Sequence, residues 1–218
     1  MGSQLAIAFP AYDFILVTTA DTQALSGGDR IIFESAYEEL LPYLQKDAAL
    51  PEDAEAAAAL QAYTGKVCRE LICTEGEKTS SFADAVNGRT YRMDENKMQL
   101  KWMRFRFEGD EGVWEYENAT GVHAIRFGLG HQVEGVFPET HYYGKKIGEP
   151  LGRGYEIHTS AGWIRDDNLK LTVYATDYFI GTLRINFAFD GDTVTAYATK
   201  NAEWFFQEYQ GFATGTAQ

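Results

Sequence analysis

Three consecutive segments between residues 168 and 201 keep a strict side-chain period of two. Leu169, Leu171, Val173 and Ala175 alternate with Lys170, Thr172, Tyr174 and Thr176. Phe179, Gly181, Leu183, Ile185, Phe187 and Phe189 alternate with Ile180, Thr182, Arg184, Asn186 and Ala188, and Val194, Ala196 and Ala198 alternate with Thr193, Thr195 and Tyr197. That is the period of a β-strand with one face turned to a core. The links are Asp177-Tyr178 and Asp190-Gly191-Asp192, the second a tight-turn signal because glycine takes the positive φ a hairpin requires. A three-stranded ribbon cannot cover its own apolar face, so it needs a helix against it or must curl until that face is interior.

The preceding residues favour curling. Residues 88–93, 98–107, 113–117, 122–127, 132–137 and 155–164 read as further strands, separated by Asp94-Glu95-Asn96, Gly109-Asp110-Glu111-Gly112, Gly128-Leu129-Gly130 and a Gly/Pro-rich loop over 138–154. The expectation is a mainly β (α+β) chain, with eight or nine antiparallel strands closing into a small barrel over residues 82–206 and a flexible tail over 207–218.

Two elements precede the barrel. Residues 4–9 and 14–19 form a hairpin about Pro10-Ala11-Tyr12-Asp13, and their near-continuous apolarity predicts strands buried on both faces. Asp29 is placed to cap a helix whose Ile32, Phe33, Ala36, Tyr37, Leu40 and Leu44 share one side, ended or kinked by Pro42. Residues 1–47 form this first part. Residues 48–81 form a helical connector, opened by Leu50-Pro51-Glu52-Asp53 and continuing through an alanine-rich run, followed by an exposed polar loop from Thr74 to Ser81.

Charge narrows the function. With 32 acidic against 19 basic residues the formal net charge is -13, which repels phosphate backbones, so nucleic acid is not an expected partner. The apolar start is broken by Pro10 and Asp13 and shows neither a signal peptide nor a spanning helix; neither a membrane partner nor a targeting segment is expected, and the cytoplasm is the default location. His123, His131, His141 and His158 are too scattered for a metal-binding helix or knuckle, and Gly128-Leu129-Gly130 lacks the helix a phosphate cradle needs. No metal or cofactor is therefore expected. Cys68 and Cys73 lie five apart, a spacing that does not favour pairing with each other, and read as free thiols.

The residues carry one family resemblance. Residues 2–10, then Phe14-Ile15-Leu16-Val17-Thr18-Thr19 and a helix ending Tyr37-Glu38-Glu39-Leu40-Leu41-Pro42, resemble the last two strands and terminal helix of serine β-lactamase-related hydrolases of the class C, penicillin-binding-protein-like type. Val86-Asn87-Gly88-Arg89-Thr90-Tyr91, His123-Ala124-Ile125-Arg126-Phe127 and Asp166-Asp167-Asn168 resemble the β-rich C-terminal extension that some bacterial members carry. The resemblance implies a β-hairpin-plus-helix remnant of the β-lactamase-like domain followed by a lipocalin-like barrel, with the missing catalytic domain of the parent hydrolase as a partner. It also implies that the K/H-x-G strand would lie just before Met1.

The family's chemistry needs a serine activated by a lysine one helical turn later, and no S-x-x-K occurs in this chain. Tyr116-Glu117-Asn118 matches the family's Y-x-N, but on a predicted strand with no nucleophile upstream it reads as coincidence. The expectation is a non-catalytic accessory module with no catalytic residues; the alternative is a barrel that binds a small apolar or peptide-like ligand in its mouth. Candidate interior or ligand residues are Trp102, Trp114, Tyr116, His123, Phe127 and Trp163. The hairpin lacks the neighbouring strands its resemblance implies and has no lysine on its apolar runs, so homodimerisation through Gln4 to Thr19 is expected.

Overall fold

A computed structural model describes residues 3–22, 26–44, 51–70, 73–139, 154–177, 180–202 and 205–218, with the side chains of 67–70 excepted. The expected loop over 138–154 falls mostly outside these residues, as do Tyr178 and Phe179 of the expected second link and strand start. The chain divides into two compact units, Met1–Thr64 and Gly65–Gln218.

In the first unit, β1 (Leu5–Phe9) and β2 (Phe14–Thr18) pair antiparallel in the register Leu5 to Thr18 through Phe9 to Phe14. The turn is a 3-10 segment, Pro10–Tyr12, closed by Asp13 at φ 49. Among the described residues the sheet has two strands, and the expectation of burial on both faces is not met: Ile15 and Val17 are 66% and 68% exposed. A continuous apolar run signals two-sided burial only where both faces find neighbours, and here the described residues of the unit cover one. On the covered side the Phe9 ring lies 6.1 Å from Phe14 and 6.2 Å from Tyr37. α1 (Arg30–Ser35) runs into a π-helical turn at Ala36–Leu40 and a 3-10 turn at Leu41–Tyr43, so the helix loosens before Pro42, whose ring cannot follow a regular α-turn. Asp29 does not cap α1 with its side chain; it accepts instead from Ser3. α2 (Ala54–Glu70) starts later than proline at the first position predicts, because Asp53 caps it, accepting from Ala56 N–H at 2.8 Å.

The second unit is the barrel. After the short α3 (Ala83–Val86) come β3 (Thr90–Met93), β4 (Trp102–Glu108), β5 (Glu111–Asn118), β6 (Gly121–Leu129), β7 (Val133–Val136), β8 (Glu156–Arg165), β9 (Asn168–Thr176), β10 (Ile180–Asp190), β11 (Thr193–Asn201) and β12 (Gly211–Ala217). Their order is β6-β5-β4-β3-β12-β11-β10-β9-β8, and β8 closes the circuit by a short parallel pairing with β6 at Gly128 to Ser160 and Leu129 to Ala161. Nine strands thus make a closed barrel, and β7 shares the same edge of β8 with β6. The fold is mainly β, a closed barrel whose neighbours are antiparallel except at the β6–β8 closure. The alternation that predicts the meander holds: Leu183, Ile185, Phe187 and Phe189 on β10 face Leu171, Val173 and their neighbours on β9 and are buried inside.

Two boundaries differ from expectation. The tail is not free: β12 lies between β11 and β3, with Ala196 opposite Ala213 and Gly215 opposite Met93. Its small residues carry little apolar signal, yet they are what fits, since a Cβ on Gly215 would stand 2.5 Å from Met93 Sδ. The polar stretch after Thr74 is not a solvated loop throughout. Thr74 is buried against β8, its N–H donating to Ser160 Oγ at 2.8 Å, and the backbones of Glu77 and Trp163 exchange two 2.9 Å hydrogen bonds. Gly76 and Gly162 permit this approach, because a Cβ on Gly162 would meet the Glu75 carbonyl oxygen at 2.7 Å.

Candidate binding site

Strand phase sorts the six sequence-predicted residues. On β5, Gly112, Trp114, Tyr116 and Asn118 are buried and alternate with Glu111, Val113, Glu115 and Glu117 outside. Phe127 and Trp163 also point inward and are buried, and Phe127 fits because Gly112 opposite has no Cβ; one there would lie 2.4 Å from the ring. His123 shares the inward phase of Ile125 and Phe127 but sits half-buried near the end of β6, its Nε2 2.8 Å from Thr120 Oγ1.

Trp102 is a correction. It belongs to the outward phase of β4 with Arg104 and Arg106, while Met103, Phe105 and Phe107 alternate with them. Its indole N–H donates to Glu117 at 2.7 Å and its ring lies 5.8 Å from the Arg104 guanidinium. Trp102 instead lines an outer concavity of about 490 Å³ with Thr90, Arg92, Lys101, Arg104 and Gln218. Hydrogen bonds from Lys101 and then Trp102 hold the Glu117 carboxyl below its ordinary range.

The interior is packed in layers of rings. Phe107, Phe127, Trp163 and Phe189 form one, with centroids 5.8 Å apart for Phe107–Trp163 and 5.9 Å for Trp163–Phe189. Phe105, Phe187 and Trp114 form the next, with Phe105–Phe187 edge-to-face at 4.7 Å and Trp114–Phe187 at 5.4 Å. Trp114 stacks on Tyr116 at 4.1 Å, and beyond them Phe137, Tyr155, Phe206 and Tyr209 complete the opposite end. Rings without hydroxyl or amide groups dominate this core, and three polar atoms on its buried rings, the Nε1 donors of Trp114 and Trp163 and the Tyr91 hydroxyl, have no hydrogen-bond partner among the described residues.

A group that sequence reasoning missed closes the Tyr116 end. Glu139, buried and three residues past β7, accepts from the Tyr116 hydroxyl at 2.7 Å and from the Tyr209 hydroxyl at Oε1, and from Asn118 Nδ2 at 3.0 Å at Oε2, where the Thr120 hydroxyl, 2.7 Å from Asn118 Oδ1, also lies 3.0 Å away. The two tyrosine hydroxyls are themselves 2.8 Å apart. Tyr116 and Asn118, the first and last residues of the Y-x-N match, therefore meet because residues two apart on a strand share a face, and both address a carboxylate. Burial, and next the charge of Glu139, holds the Tyr116 hydroxyl well above its ordinary titration range. Among the described residues no three His, Cys, Asp or Glu side chains are grouped to hold a metal, and no helix is long and apolar enough to cross a membrane.

No protein-family model and no curated protein matches the chain. Among solved structures, the Schistosoma mansoni fatty acid binding protein in complex with arachidonic acid is 12% identical over 62% of this chain and 98% of its own, with a TM-score of 0.42. The Echinococcus granulosus fatty-acid-binding protein 1 gives 12%, 62%, 97% and 0.41, and the fatty acid-binding protein of Drosophila melanogaster brain tissue 14%, 61%, 99% and 0.40. At these scores the overlap is partial, and the closed barrel rests on this chain's own strand pairing.

Proposed function

We propose that the barrel is a binding module, not an enzyme, and that it holds a small, largely apolar molecule whose acceptor group meets the indole N–H groups of Trp114 and Trp163. The observation that carries this reading is the pair of buried, unpartnered indole donors within an otherwise ring-packed interior. A buried donor left unpaired costs about 1–3 kcal/mol, and a ligand acceptor removes that cost. The ring layers about Phe105 and Phe187 bound the ligand's size: it is compact, well below what a ~300 Å³ pocket admits. Native mass spectrometry and fluorescence titration with hexanoate, hexanol and hexanamide test it. Binding of at least one, weakened by Trp114→Phe or Trp163→Phe, is expected; binding by none, or affinity indifferent to both substitutions, rejects it.

The first unit favours a second reading, in which the chain is an accessory part of a β-lactamase-related hydrolase. Its supporting observation is a two-stranded sheet whose Ile15 and Val17 stand exposed. On this reading strands of another chain complete the sheet: those of the hydrolase's catalytic portion or, for the chain alone, those of a second copy, since free strand edges recruit partners. Sedimentation velocity of the chain and its Ile15→Lys variant separates the cases: a dimer that the substitution dissociates supports an interface at the hairpin, whereas two identical monomers remove the second copy.

A further inference from the structure

We propose that Glu139 occupies a carboxylate-binding cradle as an internal stand-in, and that the ligand of the barrel carries, besides the acceptor that meets the indoles, a carboxylate that takes its place; this rests on the binding reading above. The cradle is built by the wall, whereas the acid is not. Tyr116 and Asn118 project from β5 and Thr120 from the turn that follows, while Glu139 arrives beyond β7 after Pro138. The Asn118 amide is oriented for an anion: its Oδ1 accepts the Thr120 N–H at 2.9 Å, which turns Nδ2 towards Glu139 Oε2. The Tyr116 and Tyr209 hydroxyls converge on the other oxygen, 2.8 Å from each other.

Two oxygens thus receive donors from both sides with bite and spacing that a carboxylate matches and a hydroxyl or amide does not, since either of those presents a proton where a second donor already points. Among the described residues no Lys or Arg forms an ion pair with Glu139, so the cradle selects by hydrogen-bond geometry. Its position fits the ring-lined interior as well. Trp114, one of the two unpartnered indole donors, stacks on Tyr116 at 4.1 Å, so one ligand can reach both the indole and the carboxylate seat. The Thr120 and His123 side is the exposed side of the seat. Because Glu139 is tethered, it competes at an effective concentration of roughly millimolar order, and removing it raises affinity for a free carboxylate.

The experiment has two arms. In the first, Glu139→Ala is heated in formate, acetate, chloride or formamide. A thermal midpoint that formate and acetate raise and the others do not, with the rise lost when Tyr116→Phe is added, is expected; equal midpoints in all four overturn the cradle. In the second, hexanoate and hexanol are titrated into the intact chain and into Glu139→Ala. Hexanoate binding roughly tenfold or more tighter in the variant, with hexanol unchanged, is expected. Hexanol bound as tightly as hexanoate in both proteins overturns the cradle and leaves the binding reading standing; formate rescue without binding of either six-carbon probe keeps the cradle and overturns the reading that the interior takes a ligand. Should Glu139→Ala not fold, Glu139→Gln replaces it, since its amide donor faces Asn118 and Thr120 and loosens the same seat: tighter hexanoate binding than the intact chain supports the cradle, and unchanged binding overturns it.

Discussion

Phe187→Ala removes the ring at the centre of the barrel. Phe187 is fully buried on β10, edge-to-face with Phe105 at 4.7 Å and tilted against Trp114 at 5.4 Å. Truncating a buried phenylalanine costs about 3–5 kcal/mol through lost transfer energy and the cavity left behind. Two ring contacts, each contributing about 0.5–1.5 kcal/mol beyond area, place this site in the upper half of that range, at about 4–5 kcal/mol. For a domain of this size each kcal/mol moves the midpoint by about 2–4 °C, so the barrel transition should fall by about 8–20 °C. The control is Phe212→Ala: Phe212 lies on the outward face of β12, 65% exposed and stacked on Tyr197 at 4.4 Å, and its loss should cost about 1 kcal/mol. Urea unfolding followed by tryptophan fluorescence, paired with calorimetry, measures both. A Phe187→Ala cost below about 1.5 kcal/mol, or one no larger than that of Phe212→Ala, would mean that β10 does not turn this face inward and that the ring layers are wrong.

Tyr116 gives a pH-dependent prediction. Its hydroxyl, held above its ordinary range by burial and by Glu139, keeps its proton in the folded chain at pH values where the unfolded chain, titrating near 10, has lost it. The stabilisation is therefore full below about pH 10 and is lost as pH rises further; Tyr116→Phe should flatten this alkaline decline, and a native phenolate titrating near 10 in the ultraviolet difference spectrum of wild type minus variant would contradict the burial. Gly162→Val should detach the strand-like crossing at Thr74 to Glu77, because its Cβ would stand 2.7 Å from the Glu75 carbonyl oxygen. A loss of about 1–3 kcal/mol with faster amide exchange at Glu77 is expected, and unchanged exchange there would argue that the crossing is not held by this contact.

Much of the barrel was legible because its strands keep an unbroken period of two. The β9 to β11 meander and the inward set of β5 follow directly from alternation, and Trp114, Tyr116, Phe127 and Trp163 lie in the buried phase of their strands. Trp102 is large and apolar, but its phase, opposite to Met103, Phe105 and Phe107, puts it among the arginines of β4. β12 has no strand signature in the sequence because glycine and alanine carry little apolar signal, although its narrow side chains are what the Met93 neighbourhood accepts. The crossing at Thr74 was hidden for a related reason, since Ser160 and Gly162 look solvent-facing until a second backbone lies on them. Glu139 had no local signature at all. A lone acid after a proline becomes a hub only through partners that fold closure brings from β5 and from Tyr209. The hairpin run from Phe14 to Val17 reads as two-sided burial, yet Ile15 and Val17 stand exposed, because a continuous apolar run does not itself say which face finds a neighbour.

In the proposed function a ligand acceptor reaches the indole donors of Trp114 and Trp163. The chain has four tryptophans, so its indole N–H region in a nitrogen–proton correlation spectrum is simple, and Trp102→Phe, Trp114→Phe and Trp163→Phe assign the signals that matter. With saturating hexanol or hexanamide, whose one acceptor group is free to reach the indoles, the Trp114 and Trp163 signals should move downfield as their donors gain an acceptor, while Trp102, already bonded to Glu117, stays in place. Trp114 and Trp163 signals that no member of the panel moves would contradict the account.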